Sequence, residues 1–240
     1  MRITTWNCCR GSFDEKFHAV VEREQPTILA LQEVARPESE ELCRNLGYTI
    51  RWNGSNDRQG YALAATEGFA ISDPVASTDG ARGFVVGDGD RTLHVLVVWA
   101  QAEPQYPENV WRNLDFYREF LKAEPSVVLG DFNSAPCFDS RNRRKHHELV
   151  ERLRDEFGLF SVYHEFHHCQ HGEELHPTHY WTWKREKSFH LDYIFLPNPW
   201  RPLLRNISVG GFDEWQALSD HRPVTVEIQK TYPDPKSSRL

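Results

Sequence analysis

The chain has 240 residues, 39% of them hydrophobic and 12% aromatic, which is enough for a sizeable core and excludes disorder as the main state. No window approaches ~18 uninterrupted apolar residues, so a membrane-spanning helix is excluded as well. Lys and Arg number 28 against 35 acids, a net charge of −7, so the overall field does not draw in polyanions and any phosphate chemistry must be arranged locally.

Met1-Arg2-Ile3-Thr4 begins at once as a strand, without an apolar signal core, which points to a cytoplasmic protein. Five cysteines, an odd number with Cys8 and Cys9 adjacent, do not suggest a disulfide framework. Short apolar runs predict strands over residues 3–6 and 27–32. Between them Ser12-Phe13-Asp14-Glu15 fits a capping box, and Phe13, Phe17, Val20 and Val21 keep helical spacing until Pro26. A second helix is expected over 38–46, with Gly47 as terminator. Strands follow at 48–52, 60–65, 83–86 and 93–99. Pro107 then opens a helix whose face is Val110, Leu114, Tyr117 and Leu121, up to Pro125. Residues 126–129 are a buried-type strand, and Leu149, Val150, Leu153 and Phe157 mark a helix closed by Gly158. The last third is strand-rich: 159–163, 180–184, 191–196, 207–209 and 224–229. No linker splits the chain, so the expectation is one α/β domain over residues 1–231 and a frayed tail over 232–240.

Five segments put acids, amides and a histidine where apolar strands end: Thr5-Trp6-Asn7, Leu31-Gln32-Glu33-Val34, Gly130-Asp131-Phe132-Asn133, His190-Leu191-Asp192-Tyr193 and Ser219-Asp220-His221-Arg222-Pro223. Strand ends of an α/β sheet are where ligand crevices form. Hard divalent cations take oxygen ligands, a few from protein and the rest from water and substrate phosphate. Glu33, Asp220 and the amide oxygen of Asn7 offer such atoms. In Asp131-x-Asn133 a spacing of two lets both side chains point one way, one toward an attacking water and the other toward the phosphate. Asp192 and His221 could form an acid–imidazole pair in which the carboxylate fixes the tautomer. Taken singly, each segment also fits a duller role: a turn at Gly-Asp-Phe-Asn, a solvated loop acid at Glu33, a lead-in to the strand at Val224.

Taken together and in this order, the segments resemble the endonuclease/exonuclease/phosphatase superfamily, the deoxyribonuclease-I-like fold. The resemblance frames the chain from Trp6-Asn7 to Asp220-His221-Arg222-Pro223. It implies a four-layer α/β sandwich, two packed mixed β-sheets flanked by helices, with the site at one end. It implies hydrolysis of phosphate esters, usually diesters, with Mg²⁺ or Mn²⁺. Carried over, Glu33 is the principal metal ligand, helped by Asn7 and Asp220. Asp131 positions or deprotonates the water, Asn133 holds it and the phosphate, Asp192 is the orienting acid and His221 the catalytic histidine. Two positions depart from the pattern. Cys9 stands where some nuclease members have an Asp, and a thiol is a poor Mg²⁺ partner. The long strand ends Val97-Val98-Trp99-Ala100-Gln101 without the His or Tyr that many members aim at the scissile phosphate, leaving Gln101 as the comparable donor.

Most of the twelve histidines fall between His146 and His190. His164-Glu165-Phe166-His167-His168-Cys169-Gln170-His171 invites a zinc reading, but no closed finger-type framework is present, and a polar, partly exposed loop is expected. Arg141-Asn142-Arg143-Arg144-Lys145 is either a solvated loop or a phosphate clamp beside the metal. Tyr180-Trp181-Thr182-Trp183, with Lys184, Arg185 and Lys187, is either strand packing or a platform for a base. The resulting expectation is a metal-dependent phosphodiesterase, a monomeric nuclease acting on nucleic acid. The alternatives are a phosphatase or phosphodiesterase of a small or lipid phosphoester, and a binding module that keeps the fold without turnover.

Overall fold

The apolar runs assemble into two six-stranded sheets and a short ribbon in a computed structural model that describes residues 1–123 and 125–229. The expected tail over 232–240 lies outside the described residues. With strands numbered along the chain, the first sheet holds β1 (Arg2–Asn7), β2 (Ile28–Val34), β3 (Tyr48–Asn56), β4 (Gln59–Thr66), β13 (Leu204–Val209) and β14 (Val224–Ile228). Their order is β13-β14-β1-β2-β4-β3. The second holds β5 (Ala70–Ser72), β6 (Ala81–Gly87), β7 (Thr92–Trp99), β8 (Ser126–Asp131), β9 (Leu159–Ser161) and β12 (Asp192–Pro197), ordered β5-β6-β7-β8-β12-β9. The ribbon pairs β10 (His179–Tyr180) with β11 (Ser188–Phe189).

Each sheet is mixed because it has one parallel pair at its centre, β1 with β2 and β7 with β8, while neighbours run antiparallel. A parallel pair needs a crossover, and helices supply both. Helix α1 (Phe13–Glu24) links β1 to β2; α3 (Tyr106–Phe116) and α4 (Arg118–Ala123) link β7 to β8, after the short α2 (Glu41–Asn45). The period-2 alternation of each strand then sorts side chains into layers. Ile3, Ile28, Ala30 and Leu63 meet Val95, Val97, Val127, Leu129 and Ile194 between the sheets. Leu29 and Leu31 face outward onto Phe13, Phe17 and Val20 of α1. Leu96, Val98 and Val128 face outward onto Val110 and Leu114 of α3 and onto Leu149 and Leu153 of α5 (His146–Phe157). Helix, sheet, sheet and helix make the expected four-layer α/β sandwich.

Gly130 permits the closest approach within the second sheet. Its φ is +135°, and a Cβ there would lie 2.0 Å from the Val98 carbonyl oxygen. Any side chain would push β8 off β7 and move the neighbouring Asp131. No helix among the described residues is long and apolar enough to cross a membrane.

Local expectations differ at several points. Ser12 precedes α1, but its side chain makes no capping bond; its carbonyl accepts from the Lys16 amide instead. The helix expected over 38–46 shortens to α2. The helix after Pro107 divides at Tyr117, which is buried and donates through its hydroxyl to the Ala76 carbonyl. The strand expected over 159–163 stops at Ser161, where the chain turns into α6 (Val162–His167). The strand expected over 180–184 is a 3-10 turn, Trp181–Trp183, with Thr182 and Trp183 at φ of 55° and 56°.

Candidate active site

The C-terminal ends of β1, β2 and β8 and the lead-ins to β12 and β14 converge at one end of the sandwich. Glu33 reaches it through an irregularity: β2 pairs with β4 in regular register only to Leu31 and resumes at Val34. Glu33 sits in that bulge at φ 51°, a left-handed conformation that costs a non-glycine residue about 1–2 kcal/mol. Asn133 is held likewise at φ 46°, which asparagine tolerates better. Such local strain concentrates at functional sites. Lys16 of α1 anchors this end. Its buried ammonium donates to the carbonyls of Cys8 and Leu218, tying the end of β1 to the loop that presents Asp220. Ser219 completes that tie, donating to the Asn7 carbonyl at 2.8 Å and accepting from the His221 amide at 3.0 Å.

Asp131 is the hub. One carboxylate oxygen accepts the Asn133 amide at 2.8 Å, and the other accepts the side-chain amides of Asn7 and Asn133, both at 2.9 Å. His221 lies between two acids: Nδ1 donates to Asp192 Oδ2 at 2.8 Å, and Nε2 stands 3.8 Å from Asp131 Oδ2. Burial by itself would lower the His221 pKa, but the charges of Asp192 and then Asp131 outweigh it and raise it well above the ordinary imidazole value. Burial raises the Asp131 carboxyl above the usual range, with His221 pulling against it. The ring is therefore a poised cation with one N–H fixed by Asp192 and the other facing the cleft.

Glu33, Asp220 and Cys9 line the same cleft of about 410 Å³ with Asp131, Asn133 and His221. The fit to a hard cation rests on the donors. Asp220 has a buried carboxylate oxygen with no hydrogen-bond partner among the described residues. Burial raises the Asp220 pKa, but His179 and the His221 charge more than offset that and hold it at about 2, so it is an anion. Glu33 supplies a second carboxylate. The amide of Asn7 is turned otherwise than the ligand expectation requires: its oxygen accepts the Cys9 amide at 2.9 Å, and its nitrogen donates to Glu33 and Asp131. Asn7 thus bridges the two acids as a donor. Burial, with Asp220 beside it, pushes the Cys9 thiol up to about 12, so it is protonated and an unsuitable Mg²⁺ ligand.

Tyr106 and Arg10 line the cleft although neither was singled out from the sequence. Tyr106, at the start of α3, faces the cleft and is 38% exposed. It puts a phenol at the site although the long strand ends without one, and only its place before Pro107 hinted at it. Gln101, the donor expected there, folds back onto the Trp99 carbonyl at 2.8 Å. Arg10 stands at the rim with its guanidinium 3.7 Å from Glu33. His179 lines the cleft 3.8 Å from Asp220, carried by the segment that bridges to His221. The basic run divides. Arg144 pairs with Glu108 at 3.0 Å and stacks on Trp111 at 3.7 Å, and Lys145 donates to the carbonyls of Asp139 and Asn142. Arg141 and Arg143 stay exposed, and the Arg143 amide donates to Gln105, next to Tyr106. Trp181 and Trp183 are 57% and 50% exposed, so they are not core packing.

The sequence profile of the Endonuclease/Exonuclease/phosphatase family matches residues 4–221. No curated protein matches the sequence. Among solved structures, a 3'-5' exonuclease (NExo) from Neisseria meningitidis is similar at a TM-score of 0.72 and 21% identity, over 95% of this chain and 100% of that one. An AP endonuclease from Archaeoglobus fulgidus is similar at 0.65 and 18%, over 95% and 99%. A truncated TDP2 from Caenorhabditis elegans is similar at 0.67 and 16%, over 94% and 96%.

Proposed function

The chain belongs to the endonuclease/exonuclease/phosphatase family of phosphoester hydrolases, and we propose that within it this protein is a nuclease. The observation that supports the reading most directly is the His221 ring, bonded to Asp192 at 2.8 Å and standing off from Asp131 at 3.8 Å. That gap opens on the cleft, where a phosphoryl oxygen can accept from Nε2 while Asp131 takes a proton from the attacking water. Asn7 and Asn133 keep Asp131 oriented by donating into it. Glu33 and Asp220 would hold Mg²⁺ or Mn²⁺, which when bound neutralises charge on the phosphate. A nucleic-acid substrate is supported by Arg10 at the cleft, exposed Arg143 held beside Tyr106 through Gln105, exposed Arg141 two residues before it, and the tryptophan turn directly after His179 and Tyr180. These local cations and aromatics supply what a net charge of −7 does not.

The test is a substrate panel of single- and double-stranded DNA, RNA, abasic duplex and small phosphoesters, each with Mg²⁺, Mn²⁺ or chelator. Chelator-sensitive cleavage of a nucleic acid is expected. Turnover of small phosphoesters alone would overturn the nuclease, and binding without turnover under every condition would overturn the enzyme.

A further inference from the structure

Behind the cleft, on the outer side of β12, the folded chain gathers histidines that are far apart in sequence. His146 opens α5, His164 lies in α6, His171 and Glu174 follow in the next loop, and His190 precedes β12. His164 Nε2 donates to Glu174 Oε1 at 2.9 Å, with side chains only 8% and 7% exposed. His146 Nε2 and His171 Nδ1 are 3.0 Å apart, and the rings of His164 and His171 stack at 3.5 Å. Ligand atoms of His164, His171 and Glu174 all lie within 4.8 Å of one another. The stretch expected to be a partly exposed polar loop therefore turns two of its imidazoles inward.

We propose that His164, His171 and Glu174, with a fourth ligand from the adjoining imidazoles of His146 and His190, form a tetrahedral structural Zn²⁺ site separate from the acidic cleft. Two observations besides proximity support it. The first is the outer anchoring. Metal-binding imidazoles fix their second nitrogen on an oxygen. Here His164 Nδ1 meets the Ser161 hydroxyl at 2.7 Å, His146 Nδ1 meets the Ser134 hydroxyl at 2.9 Å, and His190 Nδ1 donates to the His176 carbonyl at 2.8 Å. The second is a vacant donor. With Nδ1 carrying the proton, His190 Nε2 is a bare lone pair; it is buried without a hydrogen-bond partner among the described residues, in a residue only 5% exposed.

The donor chemistry selects the ion. Imidazole nitrogens with one carboxylate suit Zn²⁺ and not Mg²⁺. Zinc ligands at about 2.0–2.2 Å stand roughly 3.3–3.5 Å apart in a tetrahedron, close to the 2.9 Å and 3.0 Å edges already present. As the ion takes the place of the proton that His164 Nε2 shares with Glu174, the imidazole stays neutral with its one proton on Nδ1, facing the Ser161 hydroxyl. The site would brace the loop that continues to Thr178, whose hydroxyl accepts the Leu191 and Asp192 amides at 2.9 Å and 3.0 Å.

Zn²⁺ titrated into the Glu33→Gln protein under saturating Mg²⁺ isolates this site from the cleft. One Zn²⁺ per chain is expected. X-ray absorption at the zinc edge should show imidazole scattering from at least two histidines. A His164→Gln/His171→Gln variant should lose more than about 100-fold in zinc affinity. No saturable uptake by the Glu33→Gln protein, oxygen-only scattering, or undiminished uptake by the histidine variant each overturns the site. If that variant does not fold, the absorption spectrum of the Glu33→Gln protein decides.

Discussion

His221 and Asp192 form a hydrogen-bonded pair, Nδ1 to Oδ2 at 2.8 Å, with the histidine 5% exposed and the aspartate fully buried. The histidine comes from the lead-in to the first sheet's β14, the aspartate from the second sheet's β12. If the two act as one unit, Asp192→Asn and His221→Ala should each lower kcat by roughly 10²–10⁴-fold. The double variant should lose little more. Steady-state rates of the four proteins check this, and fully additive losses would break the pair.

The same pair sets a pH dependence of stability. The folded pKa of His221 lies above its unfolded value because Asp192 and Asp131 outweigh the downward pull of burial. A raised histidine contributes stability in full below its unfolded value, about 6.5, and loses it as pH rises through the folded value. Denaturant midpoints in chelator, from about pH 6 to about pH 10, should therefore fall with pH. Asp192→Asn, which removes the stronger attractor, should flatten the curve. Parallel curves would contradict the assignment.

Glu33 combines an expected ligand role with a left-handed backbone. Glu33→Gln should weaken Mn²⁺ binding at least tenfold, read by calorimetry, while leaving the fold intact. Glu33→Gly should weaken it as much and raise stability by about 1 kcal/mol, because glycine takes a positive φ without strain. Unchanged Mn²⁺ affinity in both would remove Glu33 from the metal site.

The division of the basic run narrows an expectation. Replacing Arg141 and Arg143 with Ala should weaken oligonucleotide binding and flatten its salt dependence by up to roughly 0.7–0.9 per lost contact in log–log slope. Arg144→Ala should act on thermal stability instead, since it breaks the Glu108 pair and the Trp111 stack. Equal salt slopes in wild type and the double variant would return the run to a solvated loop.

Trp181→Ala and Trp183→Ala test the aromatic turn. Both rings are half exposed, so Tm should barely move. If each stacks a base, oligonucleotide affinity should drop by about 1–3 kcal/mol per ring. Fluorescence titration with an oligonucleotide measures it, and an unchanged Kd would leave the rings without that role.

The layers were legible in the sequence because strand alternation and helical spacing are local signals, and so were the acids at the strand ends. What escaped depends on tertiary placement. The imidazoles of His146, His171 and His190 meet only after α5, a loop and the start of β12 are packed together. Tyr106 enters the cleft from a loop that periodicity does not describe. The aromatic run has strand composition, yet Thr182 and Trp183 take left-handed backbone that no propensity anticipates. The orientation of the Asn7 amide was hidden for another reason: it is set by the Cys9 amide, and a motif names a residue without naming which end of it faces the metal.

Asn7, Glu33, Asp220 and His221 belong to one sheet and its lead-ins, and Asp131, Asn133 and Asp192 to the other. The bonds from Asn7 to Asp131 and from His221 to Asp192 therefore cross from sheet to sheet. The apolar layer of Ile28, Ala30, Val97 and Val127 is in effect the spacer between the two halves of the candidate site. A methylene lost or added there would open or shut the gap between an imidazole and a carboxylate. In this architecture the thickness of the core sets the spacing of both pairs, through residues that do not line the cleft.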